Sequence, residues 1–152
     1  FMTPNVFMKI YVYISRIYHG LKQWDQSKKY LIMAKERNLS YAPVYKLLGM
    51  VEFELGNYLE SKKMFQTALR FSRLSGDKIE QSEIYYEFAV CIEKYVIKTK
   101  KQKIKNIKNR ILRLIEKAVM LNHGNNEAVK KMELIINSDY ENLLKESVVY
   151  NN

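Results

Sequence analysis

The side chains that could carry out acid–base or nucleophilic chemistry are few and scattered in this 152-residue chain. Its two histidines, His19 and His123, lie near opposite ends of the sequence. Glu83 and Glu87 would share one face of a helix, but paired surface carboxylates are usually solvated. The single cysteine, Cys91, stands among apolar residues, which predicts a packed thiol and not a reactive one. No glycine-rich phosphate loop or metal-ligand spacing is present, so we expect no catalytic residues, no cofactor and no metal site.

The positive charge of the chain is concentrated in one segment. The net charge is +10, and nine basic residues but no acidic residue fall between Lys94 and Ile115; the rest of the chain holds 17 basic and 16 acidic residues. Such a segment could contact nucleic-acid phosphates, an anionic membrane surface or an acidic protein. It could also be a solvated helix face with a flexible loop, which its lysine-rich composition favours. The residues of this possible anion or nucleic-acid patch are Lys98, Lys100, Lys101, Lys103, Lys105, Lys108, Arg110 and Arg113.

Length and composition are those of a folded domain. Hydrophobic residues make up 47% of the chain and charged residues 28%, which argues against disorder. No segment approaches the run of about 20 apolar residues that a membrane span needs. The first residues lack the basic and then apolar pattern of a signal peptide. We therefore expect one domain over residues 1–152, in an intracellular protein of the cytoplasm or nucleus.

The first half of the chain contains an internal repeat in which similar residue types recur at a fixed separation. That separation is the distance in sequence between Tyr11 and Tyr45. Apolar residues recur at three- and four-residue steps, which predicts two helices in each repeat, and Gly56 interrupts the second repeat between its helices. Gly49 lies inside a helix, where alanine is preferred by about 1 kcal/mol, so we expect Gly49 and Ala68 to mark a close helix crossing. The matched pairs are Tyr45 with Tyr11, Leu48 with Ile14, Gly49 with Ser15, Tyr58 with Trp24, Ser61 with Ser27, Phe65 with Leu31 and Ala68 with Ala34.

This pattern resembles the tetratricopeptide repeat (TPR). The first repeat departs from the family at Ser15 and Lys22, and Leu39 and Arg73 replace the family's closing proline. The resemblance covers about residues 8–122. The second repeat carries the family's residues at Tyr45, Leu48, Gly49, Gly56, Tyr58, Ser61, Phe65 and Ala68. A stretched third repeat matches at Tyr85, Phe88, Ala89, Ile92, Ile111, Ile115 and Ala118.

The resemblance implies an all-α solenoid of about three helical hairpins with C-terminal capping helices. Asp77 with Glu80, and Ser138 with Glu141, fit capping boxes at two later helix starts. The expected segments are repeats at about 8–41, 42–75 and 78–122, a basic inter-helix extension at about 97–104 and a C-terminal cap at 126–148.

In a TPR array the first helix of each hairpin lines a concave surface, which implies a groove for a peptide or a helix. Chaperone-binding members hold a C-terminal carboxylate with basic residues at the positions of Glu83 and Glu87. Two acids there would repel a carboxylate, so a chaperone C-terminus is not the expected ligand. The groove residues could instead be core if the register is shifted by one residue. The expected groove residues are Val12, Arg16, His19, Lys46, Met50, Phe53, Tyr86 and Val90.

The predicted function is therefore a non-catalytic scaffold that binds a protein partner, within a multi-subunit complex. The alternative is an RNA- or ribosome-associated module that uses the basic stretch from Lys98 to Arg113.

Overall fold

The computed structural model describes residues 3–99 and 104–150, and it describes side chains for all of these except residues 104, 105 and 148–150. In these ranges the chain is all-α and contains no β-strand. None of the helices described there is long and apolar enough to span a membrane. The helices are α1 (Pro4–Gly20), α2 (Trp24–Arg37), α3 (Ala42–Glu54), α4 (Tyr58–Ser75), α5 (Lys78–Thr99), α6 (Ile104–Leu121), α7 (Asn126–Asn137) and α8 (Tyr140–Tyr150).

The chain divides into two compact units, Phe1–Glu80 and Gln81–Asn152. The first unit contains α1 to α4 and the first residues of α5. The second unit contains the rest of α5 with α6, α7 and α8. The boundary falls near the start of the third predicted repeat. Of the predicted basic extension, residues 97–99 close α5 and residue 104 opens α6, while residues 100–103 lie outside the described part of the chain.

Two helical hairpins build the first unit. α1 packs along α2, α3 packs along α4, and α2 also packs on α3. Their apolar faces meet because large residues recur every three or four positions, which places them on one side of each helix. The shared core consists of Met8, Val12, Leu31, Ala34, Val44, Leu47, Leu48 and Val51.

The turns inside the two hairpins have the same backbone hydrogen bonds, one repeat apart. In each turn one residue is left-handed, with φ +57° at Lys22 and +83° at Gly56. That residue and the next donate to carbonyls three and five residues back, the pattern of a Schellman C-cap. The pairs are Lys22 to His19 and Gln23 to Tyr18 in the first turn, and Gly56 to Phe53 and Asn57 to Glu52 in the second.

The predicted close approach at Gly49 is confirmed. A Cβ atom on Gly49 would lie 2.9 Å from the ring of the buried Phe65, and the Gly49 carbonyl accepts a 2.6 Å hydrogen bond from Ser61 Oγ. The first hairpin repeats this bond, since Ser27 Oγ donates to the Ser15 carbonyl at 2.8 Å. Gly49 therefore gives up helix propensity so that α3 and α4 can pack closely.

In the second unit α5 packs with α6, α7 and α8 around one apolar cluster. α6 contacts both α7 and α8, and Ser82 Oγ on α5 donates to the Ala118 carbonyl on α6 at 2.6 Å. The cluster contains Ala89, Ile111, Ile115, Ile135, Tyr140 and Leu144. α7 and α8, which fall in the segment predicted as a cap, thus share a core with α6.

The two predicted helix starts differ in outcome. Asp77 Oδ1 accepts from the Glu80 backbone N–H at 3.0 Å, which is the N-cap bond of the predicted box. The box predicted at Ser138 is wrong by one residue: Asp139 accepts from the Asn142 N–H at 3.3 Å. Ser138 instead follows α7, and its hydroxyl donates back to the Leu134 carbonyl.

Candidate functional site

Three of the groove residues predicted in the first unit are buried. Val12, Lys46 and Phe53 expose 7%, 6% and 3% of their surface. Val12 belongs to the shared core, Lys46 Nζ lies 3.0 Å from Glu80 Oε1, and the Phe53 ring packs on Tyr58 with centroids 5.3 Å apart. The sequence left open whether these residues are groove or core, and the structure places them in the interior.

The other three groove residues of the first unit reach the surface. Arg16 is exposed, and His19 and Met50 are half-buried. The His19 ring meets the Trp24 ring edge-on, with centroids 5.0 Å apart. This pair is the counterpart, one repeat earlier, of the Phe53–Tyr58 pair. Arg16 and Met50 occupy the same position of successive repeats. This face therefore offers a cation on α1 and a flexible apolar side chain on α3.

In the second unit the predicted groove residues Tyr86 and Val90 are both half-buried on α5. Burial raises the pKa of the Tyr86 hydroxyl above its usual 10.0, and the negative charges of Glu87, Glu127 and Glu93 raise it further. An anionic phenolate would be repelled by these carboxylates.

A polar cluster in the second unit was not identified from the sequence. Glu93 accepts a 2.8 Å hydrogen bond from Lys131 Nζ through one oxygen, and its other oxygen accepts from the Tyr140 hydroxyl. Burial raises the pKa of Tyr140, and the hydrogen bond to Glu93 raises it further. The partners lie 38 and 47 residues from Glu93, so no local spacing indicates the contact. The cluster joins α5, α7 and α8.

A second polar cluster, in the first unit, surrounds the carboxylate of Glu52. Its side chain is 4% exposed and lies 2.6 Å from Lys28 Nζ, while Asn57 Nδ2 donates to its other oxygen at 2.7 Å. An open cleft of about 610 Å³ beside it is also lined by Tyr58 and Leu59. Since both oxygens are engaged, this carboxylate links α2, α3 and the turn before α4 and is not free to act as a base.

The basic stretch is only partly described. Lys98 is exposed near the end of α5, Lys108 is half-buried, and Arg110 and Arg113 are exposed on α6. The opposite face of α6 is buried through Ile111 and its neighbours in the second unit's core, so this helix is amphipathic. Lys100, Lys101 and Lys103, and the side chain of Lys105, lie outside the described residues.

Among the described side chains no group of three or more His, Cys, Asp or Glu residues could hold a metal ion. Cys91 is buried, as its apolar neighbours predict. Comparison of the chain with models of known protein families gives no match, and comparison with curated proteins gives none either.

Proposed function

We propose that this chain is a non-catalytic scaffold of the TPR type that binds a protein partner as a peptide or helix, within a multi-subunit complex. The binding surface in the first unit is the face that carries Arg16, His19 and Met50. In the second unit it is the face of α5 that carries Tyr86 and Val90.

One observation carries this proposal: the two hairpins of the first unit are built by the same contacts, one repeat apart. The serine-to-carbonyl bonds of Ser27 and Ser61 and the two Schellman turns recur in register. The residue types at the positions that make these hairpin contacts are therefore restricted. Arg16 and Met50 share a position that these contacts leave open, and they differ fully in chemistry, as recognition residues on a repeated frame do.

The test is affinity purification of the tagged native chain from the cells that produce it, with recovered proteins quantified by mass spectrometry. Arg16→Glu combined with Met50→Glu should reduce recovery of a specific partner by roughly tenfold, since one cation and one apolar contact are both lost. Gln66→Glu combined with Lys62→Glu, on exposed positions of α4, is the matched control because it also introduces two glutamates. Both variants must retain the helical circular dichroism of the wild type.

Equal recovery by the groove variant and the control would contradict the proposal. The alternative, RNA or ribosome association through Lys98 to Arg113, is supported by the exposed Arg110 and Arg113 on α6. The same purification separates the two functions. A partner held through phosphate contacts is lost after nuclease digestion and at raised salt, whereas a peptide or helix in the groove is retained.

A further inference from the structure

α1 carries a continuous apolar stripe on the side opposite the core. The stripe residues recur at four- and three-residue steps and therefore lie on one face of the helix. Tyr13, Ile17 and Leu21 are 64%, 63% and 60% exposed. The stripe consists of Val6, Ile10, Tyr13, Ile17 and Leu21, the residue that follows α1.

The other side of α1 already contributes to the core through Met8, Val12 and Ser15. The helix is therefore apolar on two opposite faces, and a helix of that kind is normally packed on both. Single exposed apolar residues are common, but a contiguous row along one helix indicates an interaction surface.

The repeat identifies what such a face contacts. Ile10, Tyr13 and Ile17 occupy the positions that Val44, Leu47 and Val51 occupy on α3, one repeat later. On α3 these positions are buried, with exposures of 0%, 8% and 1%. The same apolar positions are thus covered in the second hairpin and open in the first.

The cover of the α3 positions is the preceding hairpin. Val44, Leu47 and Val51 share a cluster with Leu31 and Ala34, and α2 is the helix of the preceding hairpin that packs on α3. Leu31 and Ala34 are three residues apart and present one large and one small side chain on one face of α2. The stripe on α1 is therefore shaped for a helix with the same pairing of a large and a small residue.

The charges on α1 indicate which charge a helix docked on the stripe should carry. α1 contains no acidic residue, and its exposed Lys9 and Arg16 flank the stripe on one side. The α2–α3 contact includes an ion pair between Lys28 and Glu52, at 2.6 Å. A helix on α1 would have to supply the carboxylates, since α1 has only cations.

From these observations we propose that the stripe on α1 docks an acidic amphipathic helix of another protein chain, packed on it as α2 packs on α3. Arg16 borders the stripe and also belongs to the face named under the proposed function, whereas His19 and Met50 are not part of the stripe. The proposal does not depend on that function.

The probe is a fluorescein-labelled peptide with the sequence of residues 23–38, in which Lys28→Glu, Lys29→Glu, Lys35→Glu and Arg37→Glu make the polar face acidic. Binding to the full chain is followed by fluorescence anisotropy. We expect saturable binding that Tyr13→Glu combined with Ile17→Glu weakens by about tenfold or more, because two apolar contacts are lost. Both positions are well exposed, so the variant should fold normally.

Leu59→Glu combined with Leu74→Glu is the matched control. These residues are 69% and 78% exposed in the same unit, and the variant carries the same added charge, so its affinity should change less than about twofold. Lys9→Glu should weaken the acidic peptide several-fold and improve binding of the unmodified α2 sequence. The groove variant Met50→Glu should bind the acidic peptide as wild type does.

Three results would overturn the proposal. The first is no saturable binding, and the second is equal weakening in the stripe variant and the matched control. The third comes from analytical ultracentrifugation: a concentration-dependent dimer that disappears with Tyr13→Glu and Ile17→Glu would place a second copy of this chain on the stripe.

Discussion

The serine-to-carbonyl and side-chain hydrogen bonds that join helices within each unit span different lengths of sequence in the two units. In the first unit the hydrogen bonds that join paired helices, Ser27 to Ser15 and Ser61 to Gly49, each span 12 residues and recur with the repeat. In the second unit the bonds of Ser82 to Ala118 and Lys131 to Glu93 span 36 and 38 residues. They do not follow the repeat spacing of the first unit.

The first unit thus repeats one set of hairpin contacts, whereas the second unit depends on contacts that occur once among its described residues. A short-range contact to a backbone carbonyl depends on one small or hydroxyl residue at a fixed place in the hairpin, so duplication of the sequence duplicates the contact. A long-range side-chain cluster such as Glu93 with Lys131 and Tyr140 needs three helices to be placed together first. The first unit should therefore tolerate exchange between its hairpins, and the second unit should not.

The largest expected effect tests exchange at the closest helix crossing. The first hairpin pairs Ser15 with Leu31, whereas the second pairs Gly49 with the larger Phe65. Gly49→Ser should destabilise the first unit by about 1–3 kcal/mol, because the added Cβ would meet the Phe65 ring at 2.9 Å. Adding Phe65→Leu recreates the pairing of the first hairpin and should recover part of this loss.

Hydrogen exchange of amides in α3 and α4 measures this effect in the first unit alone. Leu69→Ala on the same helix serves as a control, because its cost should add to that of Gly49→Ser without recovery. A double variant as unstable as the sum of Gly49→Ser and Phe65→Leu would mean that the two hairpins are not interchangeable at this crossing.

The next effect concerns the second unit. Tyr140→Phe removes the hydroxyl that donates to Glu93 and should cost about 1–2 kcal/mol at neutral pH. The pKa of Tyr140 is raised above its usual 10.0 by burial and by Glu93. The stability that this raised pKa represents is fully present below pH 10 and is lost as the pH rises above 10, when the unfolded chain ionises first.

Thermal or urea unfolding between pH 8 and pH 11 measures this dependence. Tyr140→Phe should show a smaller alkaline loss of stability than the wild type, and part of the loss should remain because the pKa values of Tyr45 and Tyr86 are also raised. Tyr13→Phe, at an exposed position, should behave as the wild type does. An unchanged alkaline slope in Tyr140→Phe would contradict the structural role given to this cluster.

The smallest effect compares the two equivalent turns. Gly56→Ala should destabilise by about 1 kcal/mol, because φ +83° is strained for any residue with a Cβ. Lys22→Gly should stabilise by up to about 1 kcal/mol, because Lys22 bears that strain already at φ +57°. Gly20→Ala is the control: Gly20 ends α1 without a positive φ, so alanine should not destabilise it. Denaturant midpoints that move the same way for Gly56→Ala and Lys22→Gly would show that the turns are not equivalent.

Much of the fold could be predicted from the sequence. The expected segment boundaries at 42, 75 and 126 coincide with helix ends at Ala42, Ser75 and Asn126, because prolines, glycines and capping side chains act over a few residues. The hairpin crossing at Gly49 was also predictable, since a glycine in an apolar helix has few explanations other than close packing.

The candidate site was less predictable. Val12, Lys46 and Phe53 were placed in the groove by repeat position, yet each is buried. A helical face changes with a rotation of about 100° per residue, so register alone cannot separate a position at the rim of the core from one on the open surface. The partner of Lys46, Glu80, lies on a different helix, α5, and no pattern in α3 indicates it.

The sequence by itself determined the two hairpins of the first unit and the starts of α3 and α7, because these features depend on contacts a few residues apart. Only the tertiary structure decided which of two equivalent apolar faces is covered. Val44, Leu47 and Val51 are buried and their counterparts on α1 are exposed, although the residue types are similar. Burial belongs to a residue and its neighbours together. Among the described residues, α3 has a hairpin packed against it on that side and α1 does not.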